Sequence, residues 1–332
     1  GTIEYFKKDS KDLLFDVSQP ASVGVTSIIQ NIGKVTNSGV EIELDYNAFK
    51  NKDWSVSVGA NATFVKNKIK NLPATMKENG YISGSKKWLE GKSIYEFWLR
   101  QWHGVDPQTG DGLYVADVSK YNQGNIGTGD GNITQSQFDE YKKTVVTIDG
   151  KELTNSYTYA KYDFSGSSIP DVFGGFNVRV SYKNFDLAAV FSYQLGGQVL
   201  DTNYATMMSM TEFGYAQSPD LLKAWKQAGD ITEVPRIDNS AAHTTNIGQS
   251  YSTRWLTSSD YLNLRSVTIG YQFPKAWLSK VMLKSARLNL TAENLFMLKA
   301  RQGLNPMANY SGVTYNEYMP SRNITLGLNV SF

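Results

Sequence analysis

Few side chains in this sequence are suited to acid–base or nucleophilic catalysis. The chain of 332 residues contains no cysteine and only two histidines, His103 and His243. His103 precedes Asp106 in the segment WHGVDP, and an imidazole beside a carboxylate can act as a general base toward a nearby hydroxyl. A turn histidine next to an acid, however, is usually capping the turn or solvated. We therefore predict no Ser-His-Asp site and no enzymatic activity.

A row of carboxylates formed by Glu41, Glu43 and Asp45 is a second candidate for chemistry. The three residues alternate with other residues, so in a strand they share one face and neighbours are separated by about 7 Å. Two glycosidase acids need different environments that separate their pKa values. The hydrated wall of a lumen is the simpler explanation for such a row.

One polar segment, GTGDGNITQSQF at 127–138, resembles a calcium-binding loop. When Gly131 is aligned with the glycine that such loops require, Ile126 takes the first position and Gln137 the last. Without carboxylates at these two positions the loop has too little oxygen charge for Ca²⁺. We predict a degenerate turn and no cofactor. The remaining oxygen ligands, as weak candidates for an ion, are Asp130, Asn132 and Asp139.

Residues 324–332 have the pattern of a β-strand, the element that would position the polar residues. Five apolar residues alternate strictly with four small, uncharged ones, which places all apolar side chains on one face of a strand. The apolar set is Ile324, Leu326, Leu328, Val330 and Phe332, and the other set is Thr325, Gly327, Asn329 and Ser331. A strand of about ten residues with these two faces is typical of a membrane barrel, with lipid on one side and a wet lumen on the other. Phe332 is the expected assembly signal.

The same alternation recurs along the chain, and we count about ten strands. Short turns join 40–48 to 54–64 and 176–182 to 187–193. The other predicted strands are 1–8, 94–102, a short strand through Tyr114, 267–273, 288–292 and the terminal strand.

The predicted connections between these strands alternate in length. The short ones are 50–53, 106–112, 183–184 and 274–284, and the long ones are 10–33, 67–93, 117–170, 198–257 and 298–319. Short turns on one rim and long loops on the other are typical of outer-membrane barrels. Because loops of this size exceed what a small barrel carries, we predict an all-β fold that is part of a larger transmembrane antiparallel β-barrel.

Composition narrows the alternatives. Lys and Arg number 33 against 31 Asp and Glu, so the near-neutral charge gives no argument for binding nucleic acid. The 20 Tyr, 15 Phe and 7 Trp fit either an outer-membrane barrel or a soluble all-β protein. A secreted β-sandwich that binds glycans is therefore the alternative prediction, and it would stay soluble without detergent. The start of the chain lacks the pattern of a signal peptide, so we expect a longer protein.

Several segments carry a family resemblance. They are 31–43 (NIGKVTNSGVEIE), 91–114 (GKSIYEFWLRQWHGVDPQTGDGLY), 169–187 (IPDVFGGFNVRVSYKNFDL), 191–197 (FSYQLGG), 254–273 (RWLTSSDYLNLRSVTIGYQF), 292–296 (AENLF) and the ending NVSF. In this order they resemble the C-terminal half of SusC/RagA-type TonB-dependent transporters.

The resemblance implies a plugged barrel of about 22 strands in the outer membrane of a Gram-negative, Bacteroidetes-like bacterium. It further implies import of oligosaccharides or oligopeptides, energised through TonB, with a SusD-like lipoprotein as a lid over the extracellular loops. Residues 1–332 would be the C-terminal part of this barrel. The plug, the TonB box and the first strands would lie outside this chain.

Ligand recognition is expected in the long loops, where aromatic rings can stack on sugars or on peptide side chains. The candidate residues for contact with substrate or lid are Tyr121, Tyr157, Tyr159, Tyr204, Tyr215, Tyr310 and Tyr315. Many loop aromatics instead pack the loops together, so burial decides between the two roles.

Overall fold

The computed structural model describes residues 1–18, 27–129, 131–209, 214, 216–238, 240, 243, 246–248 and 251–332. Within these residues every pairing between named strands is antiparallel. The predicted all-β class is confirmed.

The described strands fall into one large sheet and three small ones. The first ten are β1 (Thr2–Ser18), β2 (Ser27–Lys50), β3 (Trp54–Asn71), β4 (Tyr81–Ser83), β5 (Lys86–Trp88), β6 (Glu96–Arg100), β7 (Trp102–Val105), β8 (Gly112–Val115), β9 (Val145–Ile148) and β10 (Lys151–Thr154). The others are β11 (Tyr162–Ser167), β12 (Val172–Tyr182), β13 (Phe185–Leu195), β14 (Gln198–Leu200), β15 (Leu256–Ser258), β16 (Tyr261–Gln272), β17 (Ser285–Glu293), β18 (Met297–Lys299) and β19 (Asn323–Ser331).

Helices are short and lie between strands. They are α1 (Gln135–Thr144), α2 (Thr202–Met207) and α3 (Lys275–Leu278). Single 3₁₀ turns occupy Ala74–Met76, Gln123–Asn125, Tyr157–Tyr159, Pro219–Lys223, Thr253–Trp255 and Ser279–Val281. In the described part of the chain, no helix combines the length and the apolar character that crossing a membrane requires.

The large sheet forms a wall in the order β1-β2-β3-β12-β13-β16-β17-β19, with β18 also paired to β16. Its register keeps apolar residues opposite apolar residues across each junction. Val58 on β3, for example, lies opposite Tyr46 on β2 and Val178 on β12. At the other end of the sheet, Leu288 on β17 lies opposite Tyr271 and Leu328. One face of the wall is therefore apolar from strand to strand.

This apolar face has no protein layer over it in the described residues. Leu326 on the last strand is 69% exposed and Leu44 on β2 is 57% exposed. Aromatic and aliphatic side chains along the face share this exposure, among them Ile3, Tyr5, Tyr46, Phe64, Phe185, Ile269, Leu290, Ile324 and Leu328. A β-sandwich would cover such a face with a second sheet, so the alternative fold prediction is wrong. The arrangement matches the lipid-facing surface of a barrel wall.

The opposite face of the wall is polar and hydrogen-bonded. Arg287 on β17 reaches across β16 and donates two hydrogen bonds of 2.7 Å to the carboxylate of Asp186 on β13. Gly270 lies between the two strands that carry this ion pair, and a Cβ there would collide with both side chains. Thr268 and Thr291 add a hydroxyl contact of 3.0 Å. Long polar side chains thus cross the face wherever glycine leaves room.

The acidic row lies on this polar face, as the sequence predicts. Glu41, Glu43 and Asp45 on β2 stand opposite Thr63, Asn61 and Gly59 on β3. Toward β3 each carboxylate has a small or amide residue beside it, and toward β1 Glu43 stands opposite Thr2 and Glu41 opposite Glu4. Their positions are those of a hydrated wall.

Two parts of the predicted strand map are wrong. The loop predicted over 10–33 is instead strand at both described ends, because β1 continues to Ser18 and β2 begins at Ser27. The reason is a small core of its own, in which Val35 on β2 packs with Ile69 and Leu72. Polar residues do not stop a strand that extends into water.

The second correction concerns β6 and β8, which belong to small sheets outside the wall. The apolar residues of β6, Phe97 and Leu99, are fully buried in a core formed by the loops, so they never reach the outer face. Eight strands in the main order, plus β18, replace the predicted ten, and 106–112 is not a rim turn. The other short connections, 51–53, 183–184 and 273–284, do join neighbouring wall strands.

Candidate functional site

Three long connections between wall strands, which we call the first, second and third excursions, are 72–171, 196–260 and 294–322. Their described residues pack together into one layer with its own hydrophobic core. Phe97 and Leu99 come from the first excursion, Leu200 and Trp255 from the second, and Val313 from the third. Each of these side chains is at most 6% exposed. Sites in this layer can therefore combine residues that are distant in sequence.

One such site is a pocket of about 390 Å³ between the second and third excursions, which we call the Asp201–Arg301 pocket. Its lining is polar with a few apolar side chains. The lining residues are Asp201, Asn203, Tyr204, Met207, Arg301, Gln302, Gly303, Leu304, Asn305, Thr314, Asn316, Glu317 and Tyr318. This mixture of hydroxyl, amide, carboxylate and guanidinium groups suits a polar ligand.

Asp201 holds one wall of the pocket in place. The residue follows β14 directly and caps α2, because its carboxylate accepts a hydrogen bond of 3.0 Å from the backbone amide of Tyr204. Its own backbone amide donates to the carbonyl of Trp255. The third excursion is fastened alongside, since Leu200 donates to Gly312 and receives a hydrogen bond from Thr314. Asp201 is only 4% exposed, so its carboxylate works inside the structure.

Arg301 supplies the charge that faces a ligand. Its guanidinium carbon lies 3.6 Å from the ring centre of Tyr204, a close cation–π contact. Its Nη1 atom is 3.4 Å from Oδ2 of Asp201, within ion-pair distance. Even so, Nη1 is buried and donates no hydrogen bond to any described residue. Nη1 is therefore held inside the structure beside Asp201, and Arg301 lines the pocket with the rest of its side chain.

Tyr204 is kept neutral beneath the arginine. Burial raises its pKa, and the hydrogen bond of 2.8 Å that its hydroxyl donates to Asp220 acts in the same direction. The ring can therefore serve as a fixed platform for Arg301. Trp255 supports it edge-on, with ring centres 5.9 Å apart.

A second polar surface lies on the sheet that contains β5, β6 and β11. Alternate residues of β6 and β11 place Trp98 opposite Phe164 and Arg100 opposite Tyr162 on one face. Cations cover the rings: Lys87 lies 4.1 Å from Trp98, Lys92 lies 4.6 Å from Phe164, and Arg100 lies 4.7 Å from Tyr162. We call this surface the aromatic–cation face. It suits an acidic ligand that packs against rings.

The reverse side of β5 carries a buried lysine. The ammonium of Lys86 lies 3.1 Å from the ring centre of Phe97 and donates a hydrogen bond of 2.8 Å to the carbonyl of Tyr95. Burial lowers its pKa to about 7, although the charge of nearby Glu96 opposes the shift. The amine is thus poised to lose its proton near neutral pH.

Two of the tyrosines that the sequence singled out lie on these surfaces. Tyr204 lines the Asp201–Arg301 pocket. Tyr157 borders the aromatic–cation face, where Arg100 lies 4.9 Å from its ring and donates to its carbonyl. Their rings are partly exposed, so contact with a ligand remains a prediction for both.

Tyr121 and Tyr159 have a different environment. Both are 8% exposed, and both pack on Tyr141 in a small core around α1. The ring centres of Tyr121 and Tyr159 are 4.9 Å apart. Their rings hold this part of the loop together and offer no open face to a ligand.

The remaining sequence candidates are spread over the surface. Tyr310 is half exposed and meets Tyr95 edge-on at 5.2 Å, and Tyr315 is 69% exposed beside the pocket-lining Asn316. Tyr215 lies outside the described residues. Phe332 is exposed at the end of the last strand, and its role in assembly stays a prediction.

The candidates for catalysis and metal binding are not assembled into sites. Asp106 caps its turn by accepting hydrogen bonds from Gln108 and Thr109, while His103 is exposed. Asp139 accepts a hydrogen bond from Gln135 on α1, and Asp130 lies outside the described residues. Among the residues that the structure describes, no group of three or more acidic or histidine side chains is placed to hold a metal ion.

We predict that Asp201→Ala loosens α2, whereas Asp201→Asn does not, because asparagine caps helices as well as aspartate does. Loss of a cap costs about 1 kcal/mol, so amide hydrogen exchange over 202–207 should accelerate roughly fivefold in the alanine variant. Equal protection in the alanine variant and the unmodified protein would show that the cap contributes nothing.

Comparison with known proteins finds similarity to TonB-dependent receptors. The family described as "TonB dependent receptor-like, beta-barrel" matches residues 1–125. TonB-dependent receptor P3 of Formosa agariphila is 27% identical over 349 aligned residues, which cover 100% of this chain and 32% of that protein. TonB-dependent receptor SusC of Bacteroides thetaiotaomicron is 24% identical, covering 100% of this chain and 30% of SusC.

Solved structures show the same fold. The RagAB peptide transporter matches with a TM-score of 0.76 and 24% identity over 99% of this chain and 33% of that chain. The RagAB peptide importer in its "closed-closed" state also matches with a TM-score of 0.76, at 25% identity. The chain therefore spans about a third of the length of the relatives it matches.

Proposed function

We propose that this chain, a barrel wall of the SusC/RagA type of TonB-dependent receptors, serves in the import of oligosaccharides or oligopeptides across an outer membrane. The similarity to TonB-dependent receptors and to RagAB supports nutrient import as the general function. The observation that carries the proposal is the continuous apolar face, which is exposed from β1 to β19. An uncovered apolar face of this extent, alternating with a polar face, is typical of the lipid-facing surface of a barrel wall.

The partners follow from the same proposal. Residues 1–332 would form the C-terminal part of the barrel, in the outer membrane of a Gram-negative bacterium of the Bacteroidetes. A SusD-like lipoprotein would cover the loop layer as a lid. TonB would act on a plug-containing region of the longer protein.

The loop layer supplies the recognition step. Arg301 brings positive charge to the lining of a pocket of about 390 Å³, and Lys87, Lys92 and Arg100 add positive charge on the aromatic–cation face. Oligopeptides present carboxylates to such groups, and oligosaccharides present hydroxyls and, in acidic sugars, carboxylates. Both substrate classes fit these groups, so a growth experiment is needed to decide between oligopeptides and oligosaccharides.

The proposal is tested by growth of a strain that lacks the full-length gene, on a panel of glycans and peptides as sole nutrients. We expect growth to fail on members of one class and to return with the unmodified gene. Arg301→Gln should slow uptake of that nutrient roughly tenfold at limiting concentration, because hydrogen bonds to a charged group are worth about 1.5–3 kcal/mol.

The matched control is Arg322→Gln, since Arg322 is exposed and does not line the pocket. It should take up the nutrient at the normal rate. If the deletion strain grows normally on every glycan and every peptide, import of these substrates is the wrong function.

A further inference from the structure

The outer face of the wall changes character abruptly at one row of residues. Tyr5, Val40 and Phe64 stand side by side on β1, β2 and β3 and end the apolar band. Two residues further along the same face, the row reads Lys7, Ser38 and Lys66. The next row reads Asp9, Thr36 and Lys68. Three neighbouring strands thus switch from apolar to polar residues at the same height, and β1 and β3 place lysines there.

That height matches the edge of a membrane. On β3 the apolar band runs from Trp54 to Phe64, and both of these aromatic residues are exposed. Ten residues of strand are about 34 Å long, which at the tilt of barrel strands gives a band of about 25 Å. Trp54 lies beside a short turn, so Phe64 marks the end of the band toward the long loops. Aromatic residues favour such interfaces, and the lysines above would lie among lipid head groups.

The positive charges of this row are largely free. Lys7, Lys66 and Lys68 are exposed, and none of them forms an ion pair with a residue that the structure describes. The one acid on the face, Asp9, is already engaged. It lies 3.2 Å from Lys34 and accepts a hydrogen bond of 2.7 Å from Thr36. Three ammonium groups are therefore available to an anion from outside the chain.

A groove of about 560 Å³ lies beneath these lysines, along the edge of β3 that extends beyond β12. Its apolar part is formed by Tyr5, Val40, Phe64, Ile169 and Pro170, and its cationic part by Lys66 and Lys68. Glu96 and Asp171 also line it. Because Phe64 is followed by Lys66 and Lys68 on the same face of β3, a lipid whose acyl chain lies over Phe64 would bring its phosphate to these lysines.

We propose that Lys7, Lys66, Lys68 and the groove beneath them bind a phosphorylated lipid of the outer leaflet. The proposal rests on the proposed function, because it requires the wall to lie in a membrane with the long loops outside. The phosphate would contact the ammonium groups, and one acyl chain would lie over Tyr5, Val40 and Phe64.

The test uses the full-length receptor extracted from outer membranes in mild detergent. Native mass spectrometry would count bound phosphorylated glycolipid as purified lipid A is titrated in. The variant Lys7→Gln/Lys66→Gln/Lys68→Gln should bind it more than about tenfold more weakly, since each basic residue near the surface adds to the attraction. Lipid A treated with phosphatase should bind the unmodified receptor as weakly as untreated lipid A binds the variant.

The matched control removes three other exposed lysines, in Lys143→Gln/Lys151→Gln/Lys226→Gln, and should bind like the unmodified receptor. Equal affinity of the first triple variant, or undiminished binding of the dephosphorylated lipid, would overturn the proposal. The proposal would also be overturned if the first triple variant lost the partner lipoprotein while its lipid binding stayed unchanged. The lysine row would then be a protein contact. Assembly in the outer membrane is scored separately, because its failure would count against the proposed function instead.

Discussion

Leu328→Arg is expected to destabilise the membrane-embedded protein by about 2–4 kcal/mol, the cost of an arginine on the lipid face near the bilayer midplane. Leu328 lies on the apolar face opposite Leu288 and is 62% exposed. In a bilayer, that exposure means contact with acyl chains. An arginine there must either lose its hydration or draw water into the membrane.

Thr325→Arg provides the control from the same strand. Thr325 lies on the polar face opposite Thr291 and is also exposed, so an arginine there extends into water. Its cost should be small. The free energy of unfolding in phospholipid vesicles, from denaturant titration, measures both variants. Similar costs for the two arginines would remove the distinction between the faces.

The local stability of the sheet around β5 is expected to rise with pH between about 7 and 10. Burial lowers the pKa of Lys86 from 10.5 to about 7. Between these values the unfolded segment binds a proton that the folded segment lacks, so raising the pH favours the folded form by about 1.4 kcal/mol per pH unit. Below pH 7 the Lys86 amine is protonated in both the folded and the unfolded segment, so burial of its charge destabilises the folded segment by the full amount.

Hydrogen exchange of the amides in β5 and β6, corrected for intrinsic rates, measures this slope between pH 6 and 9. Lys86→Met should abolish it. Lys87→Met should keep it, because Lys87 lies on the other, partly exposed face against Trp98. A slope that survives in Lys86→Met would assign the titration to another group.

The wall was predictable because its signal is local. Alternation from Ile324 to Phe332, and the short turn at 183–184, give the strand faces and the hairpin directly from neighbouring residues. The register then follows, since a slip by one residue would turn every apolar side chain of the strand into the lumen.

The same signal misleads for β6. Phe97 and Leu99 alternate with Glu96, Trp98 and Arg100 as in an aromatic-rich wall strand, yet they are buried in a core with Leu200, Trp255 and other loop residues. Apolar residues at every second position indicate that one face of a strand is covered. They do not indicate whether lipid or protein covers it.

The candidate site was only partly predictable. The sequence marks loop tyrosines as ligand candidates by residue type alone. Burial in the structure separates Tyr204, which lines a pocket, from Tyr121, which packs inside a core. Asp201 and Arg301 give no signal in the sequence, because their pairing joins two excursions that are far apart along the chain. No pattern of nearby residues encodes such a contact.

Single-cysteine labelling along the last strand shows whether its apolar face meets lipid, and residues 1–332 contain no cysteine that would interfere. Each position from 324 to 331 is replaced in turn by cysteine, labelled with a nitroxide and studied in lipid vesicles for collisions with oxygen and with a water-soluble nickel chelate. A lipid-facing wall predicts a period of two, with oxygen favoured at Ile324, Leu326, Leu328 and Val330 and nickel favoured at Thr325, Gly327, Asn329 and Ser331. Uniform access to nickel at all eight positions would show that the apolar face does not meet lipid.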